Sequence, residues 1–114
     1  MVEIANYPSL KDKIVLITGG ASGIGESIVE KFLQQDSKVV FIDKEEEQGN
    51  NLTNKMNIYK HPAVFKICDL EDVSSLQNAI KEVQKDIGKI SILVNNAAND
   101  ERHKIDEVTP EYWN

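Results

Sequence analysis

Four short apolar runs, separated by amphipathic or polar stretches, give this chain its outline. Ile14-Val15-Leu16-Ile17, entered from Lys13, is a continuous apolar run and predicts a strand buried on both faces. Lys38 to Ile42 repeats that signature through Val39, Val40, Phe41 and Ile42. Ala63 to Cys68 and Ile90 to Val94 predict a third and a fourth strand. Between the first two, Ile24, Ile28 and Phe32 recur at i, i+4 and i+8, the spacing of a helix face. From Asp72 to Ile87, Val73, Leu76, Ile80, Val83 and Ile87 share one face, and Gly88 supplies the stop. The acidic segment from Asp43 to about Met56 predicts a largely solvated helix, against which Gly49-Asn50-Asn51 counts. Thr109-Pro110-Glu111 opens one more helix, with Thr109 as N-cap and Pro110 at the first helical position.

The order is therefore β-α-β-α-β-α-β followed by the start of a helix, which implies right-handed crossovers and a parallel sheet. The expected fold class is α/β: a partial Rossmann fold, doubly wound, with strand order 3-2-1-4 and helices on both faces. Residues 1–11 read as an irregular lead-in, and 12–114 as one truncated domain.

Composition narrows the function classes. Of 114 residues, 40% are apolar and 28% charged, the profile of a globular domain. No apolar run approaches the ~20 residues a membrane-spanning helix needs. The net charge of −6 argues against nucleic acid, whose phosphates need a clustered basic surface. A dinucleotide escapes that objection, because backbone N–H groups and a helix N-terminus can neutralise a pyrophosphate. Cys68 is the only cysteine, so no intrachain disulfide forms, and the expected compartment is the reducing cytoplasm.

The most informative stretch is Thr18-Gly19-Gly20-Ala21-Ser22-Gly23-Ile24-Gly25, set between a buried strand and an amphipathic helix. Gly19 permits the sharp turn, Gly23 lets the backbone approach a pyrophosphate, and Gly25 allows close helix–strand packing. The competing reading is a tight turn that holds no ligand. Asp43, at the end of the second strand, tips the choice: a carboxylate there accepts hydrogen bonds from adenosine ribose hydroxyls. It also repels a 2′-phosphate, which favours NAD over NADP, although the adjacent Lys44 softens the repulsion.

The spacing of Thr18, Gly19, Gly23 and Gly25 resembles the cofactor motif of the short-chain dehydrogenase/reductase family. Two further stretches carry the same resemblance. Asp69-Leu70 follows the third strand, where the family uses a carboxylate to hold the adenine amino group. Asn95-Asn96-Ala97-Ala98 resembles the family's Asn-Asn-Ala-Gly motif, which supports the sheet and lines the nicotinamide ribose. Ala98 stands in place of the usual glycine, and Ser91 where many members carry Asp. The cofactor-binding set implied is Gly19, Ser22, Gly23, Ile24, Gly25, Asp43, Lys44, Asp69, Leu70, Asn96, Ala97 and Ala98.

The resemblance also implies chemistry that these residues do not carry. The family works through a Ser, a Tyr and a Lys four positions after that Tyr, the Tyr acting as general acid/base. Of Tyr7, Tyr59 and Tyr112, only Tyr7 is followed four positions on by a lysine, Lys11, and it precedes the first strand. No catalytic residue is therefore assigned. His61 and His103 read as isolated polar residues rather than metal ligands, and Cys68 as a small core residue.

The expected function is the cofactor-binding part of an NAD-dependent oxidoreductase acting on a secondary alcohol or carbonyl, with residues 95–113 most like sugar-oxidising members. The alternative is a non-catalytic NAD-binding or interaction module pairing through the apolar edge of the fourth strand (Ile90, Ile92, Leu93, Val94). Either way the expected partner is a nicotinamide dinucleotide, with no membrane or nucleic acid. The chain is expected to form a homo-oligomer or to meet a missing second half of the fold.

Overall fold

The structure, a computed structural model, describes residues 7–21 and 23–96. The expectations for Ser22, Ala97, Ala98, His103 and the helix opening at Thr109 lie outside the described residues. Four parallel strands, β1 (Ile14–Thr18), β2 (Lys38–Asp43), β3 (Val64–Ile67) and β4 (Ile92–Asn95), form a sheet in the order β3-β2-β1-β4. Three helices connect them: α1 (Gly23–Gln34), α2 (Glu46–Lys55) and α3 (Val73–Asp86). The strand order and the helices on both faces are those the alternation predicts.

Successive strand residues face opposite sides, so the central strands feed two cores. Val15, Ile17, Val39 and Phe41 pack with Val29 and Leu33 of α1, with Leu52 of α2 and with Met56 at its C-cap. Leu16, Val40 and Ile42 pack with Leu76, Ile80 and Val83 of α3 on the other face. Burial on both faces is why β1 and β2 read as unbroken apolar runs; each such aliphatic side chain contributes about 1.5–3 kcal/mol. The outer strands have neighbours on one side only among the described residues, and they leave Val64, Ile67 and Leu93 exposed.

The face of α1 is corrected by the structure. The buried residues are Gly25, Val29 and Leu33; Ile28 and Phe32 only flank the core, and Ile24 is 75% exposed. The helix is turned so that Gly25, which has no side chain, lies against the Gly19 carbonyl and Asn96, where a Cβ would not fit. α1 ends in a Schellman motif: the Ser37 N–H donates to the Phe32 carbonyl (3.2 Å) and the Asp36 N–H to that of Leu33 (3.0 Å). Asp36 closes it with φ of +62°, a position where glycine carries no steric penalty. Asp36→Gly is expected to raise stability by about 0.5–1 kcal/mol and the melting temperature by about 3–6 °C in thermal denaturation.

α2 forms despite Gly49-Asn50-Asn51, and the reason is packing. Gly49 is buried, and a Cβ there would run into the Phe65 ring, which itself stacks on Phe41 with centroids 5.1 Å apart. α3 starts at an N-cap, Asp72, whose carboxylate accepts the Ser75 N–H at 3.2 Å. The hydrogen bonds from Ser75 hold the Asp72 carboxyl below the usual carboxylate range.

Candidate functional site

In a parallel sheet every strand ends on the same side, so residues just past the strand ends converge on one rim. Thr18 pairs with both Ile42 and Asn95, and Asp43 with Ile67. This register brings Gly19, Asp43, Asn96 and, past β3, Asp69 to the carboxyl rim, where doubly wound sheets bind ligands.

The glycine loop is held there by its neighbours. Gly19 turns with φ of +73°, and its N–H donates to the Ile42 carbonyl at 2.7 Å, fixing the loop to the end of β2. The Gly19 carbonyl accepts the Asn96 side-chain amide at 2.8 Å, and the Thr18 hydroxyl donates to Asn95 Oδ1 at 3.0 Å, fixing it to β4. Beneath it, Gly25 has no room to change: an added Cβ would overlap the Gly19 carbonyl and lie 2.8 Å from Asn96 Nδ2. Gly23 is the reverse case. It opens α1 at φ of +59° with nothing within 4 Å of where a Cβ would stand. The loop is thus tight at Gly25 and open at Gly23, the form a backbone cradle for an anion requires.

Asp43 closes the other side. Its Oδ2 accepts the Ala21 N–H at 3.2 Å and its Oδ1 the Glu45 N–H at 3.1 Å, so the carboxylate is oriented from two directions. Each oxygen keeps a second lone pair for an incoming hydroxyl. Asp69 is exposed, its Oδ1 accepting the Glu71 N–H at 3.0 Å, while Leu70 is half-buried against the α3-side core. Ile24 and Lys44 are both exposed at this rim. Asn96 is brought into the site as a prop beneath the loop.

Sequence spacing could not reveal a cleft of about 260 Å³ lined by Ala21, Glu26, Gln48, Asn51, Leu52 and Lys55, on α1, α2 and the loop. Lys55 Nζ donates to Glu26 Oε1 at 2.6 Å across it, and that bond holds the ammonium's pKa above the usual lysine value. Glu26 and Lys55 are far apart in the chain, so only the packing of α2 on α1 makes them neighbours.

The remaining candidates carry no chemistry in this arrangement. Burial, with the nearby Asp69 and Asp72 carboxylates, pushes the Cys68 thiol up and keeps it protonated, unlike a nucleophile. Burial also pushes the Tyr59 phenol up, and its hydroxyl donates to Glu30 Oε2 at 2.8 Å, the opposite of an activated base. His61 is more engaged than the sequence suggests: Nε2 lies 2.7 Å from Asp12 Oδ1 and the ring is half-buried. No group of metal-ligating side chains occurs among the described residues, and none of their helices is long and apolar enough to cross a membrane.

Comparison with known proteins agrees with this fold. The profile of the family described as short chain dehydrogenase matches residues 13–114. A D-xylose 1-dehydrogenase of Caulobacter vibrioides is 45% identical over 109 residues, covering 96% of this chain and 42% of that protein. The solved 2-keto-3-deoxy-D-gluconate dehydrogenase of Streptococcus agalactiae superposes with a TM-score of 0.73 at 30% identity, covering 90% of this chain and 38% of its own. An actinorhodin polyketide ketoreductase solved with NADPH gives a TM-score of 0.71 at 25% identity, covering 75% of this chain and 33% of that one. The chain thus spans about two fifths of the length of curated relatives it matches (42% and 43%).

Proposed function

This chain belongs to the short-chain dehydrogenase family, and from that premise we propose that it forms the NAD-binding part of an oxidoreductase acting on a sugar-like secondary alcohol or the corresponding carbonyl. The observation that carries the reading is Asp43, a carboxylate aimed by the Ala21 and Glu45 amides at the rim beside the glycine loop. In that position it accepts the adenosine ribose hydroxyls and disfavours a phosphate in their place. Gly19, Gly23 and Ile24, with Ser22, offer the loop backbone to the pyrophosphate. Asp69 and Leu70 receive the adenine, and Asn96, Ala97 and Ala98 border the nicotinamide ribose. Bound there, the nicotinamide supplies the carbon that takes up or gives the hydride.

The sugar-like substrate is supported by two relatives whose names are a D-xylose dehydrogenase and a 2-keto-3-deoxy-D-gluconate dehydrogenase. Among these residues no Tyr four positions before a Lys lies at the carboxyl rim, so no proton-transfer residue is assigned to them. Pairing along β4, where Leu93 is 41% exposed, is where we place a second copy or the rest of the fold. The single buried thiol fits a reducing, cytoplasmic setting.

Amide chemical shifts test the site directly. On adding NAD+, the Gly19, Gly23, Ile24, Asp43 and Asp69 amides are expected to move, while Lys13, Lys38 and Ala63 at the opposite rim stay still. Shifts centred on that opposite rim would remove the reading. The 114-residue chain alone is expected to form no NADH from NAD+ and a sugar.

A further inference from the structure

The cleft between α1 and α2 is joined to Asp43 through Ala21, which lines the cleft while its N–H is held by Asp43 Oδ2 at 3.2 Å. Its lining would suit an anion in all but one respect. Gln48 and Asn51 bring amide donors and Lys55 the one cation among its lining residues. Glu26, however, lines the same cleft and takes the Lys55 ammonium at 2.6 Å. Lys55 is two-thirds exposed, its side chain at 66%, and Glu26 is its ion-pair partner across the cleft.

We infer that the Glu26–Lys55 pair selects the cofactor: Glu26 holds Lys55 and places a negative charge in the cleft, which closes it to a phosphate monoester on the adenosine ribose. Without Glu26, the same walls become a phosphate site built from Lys55, Gln48 and Asn51. The inference rests on the proposed binding of an adenosine ribose at Asp43, and it adds a second residue that rejects a 2′-phosphate independently of that carboxylate. The lining passes from net neutral to a single positive charge when Glu26 becomes Gln. A phosphate carries up to two negative charges, so pairing with one exposed ammonium at about 4 Å reaches about a tenfold effect even at the modest strength of surface ion pairs.

The test is calorimetric titration of NAD+ and NADP+ into the wild-type chain, Glu26→Gln, and Glu26→Gln combined with Lys55→Ala, at low and high ionic strength. Glu26→Gln is expected to move the affinity ratio toward NADP+ by about tenfold, and high salt to shrink that gain because the charges are exposed. The double variant is expected to return to the wild-type ratio. An unmoved ratio in Glu26→Gln, equal losses for both cofactors, or a gain that persists without Lys55 would each overturn the inference. If the wild-type chain fails to bind NAD+, the function proposed above falls first, an outcome separate from all of these.

Discussion

Gly25→Ala is expected to destabilise the domain by about 2 kcal/mol and to weaken NAD+ binding at least tenfold. At most interior helix positions the same change is stabilising by about 0.8–1 kcal/mol, because alanine is the better helix former. Here the added methyl meets the Gly19 carbonyl, Asn96 Nδ2 and the Gly20 Cα, which are backbone atoms and a side chain already hydrogen-bonded to that carbonyl. None can yield alone. Relief requires α1 to move off the loop or the Asn96–Gly19 bond to break, and overpacking of this kind costs about 1–3 kcal/mol before any helix gain is counted. The melting temperature should fall by about 8–16 °C. The loop should lose NAD+ because its N–H groups no longer point as a set. A variant as stable as wild type would show that α1 does not sit as tightly as described.

Asp43→Asn carries the second large effect. The substitution keeps the shape but removes the charge, and one of the two positions now held by Ala21 N–H and Glu45 N–H must face a donor with a donor. Hydrogen bonds to a charged group are each worth about 1.5–3 kcal/mol, so losing the ribose contact is expected to weaken NAD+ binding by about 2 kcal/mol, roughly thirtyfold. NADP+ should lose far less, since the repulsion disappears along with the acceptor. Paired titrations of the variant with the two cofactors check this. A uniform loss for both would assign Asp43 a purely structural role.

The centre of the fold was legible because burial on both faces leaves an unbroken apolar run: Val39 to Ile42, short, β-branched and aromatic, reads as a central strand. The loop at the rim was legible for a related reason, since glycines at fixed offsets between a strand and a helix mark where backbone passes too close for a side chain. That same feature hid the orientation of α1. Periodicity counts side chains, and it selected Ile24, Ile28 and Phe32, whereas the buried face runs through Gly25, which has none, with Val29 and Leu33. Gly49 misled in the same way; it looked like a helix breaker and is the seat of the Phe65 ring. The Glu26–Lys55 and Asp12–His61 pairs join distant parts of the chain, and no local pattern announces them. Motif order predicted that Asn96 belongs with the loop; only the structure gives the reason, a hydrogen bond to the Gly19 carbonyl at 2.8 Å.

The proposed function rests on the glycine loop and Asp43 together making a site for an unphosphorylated adenosine ribose. Side-by-side calorimetric titration of the wild-type chain with NAD+ and NADP+ measures it most directly. NAD+ is expected to bind with one-to-one stoichiometry and at least ten times the affinity of NADP+. Equal or tighter binding of NADP+, or no binding of either, would contradict the account.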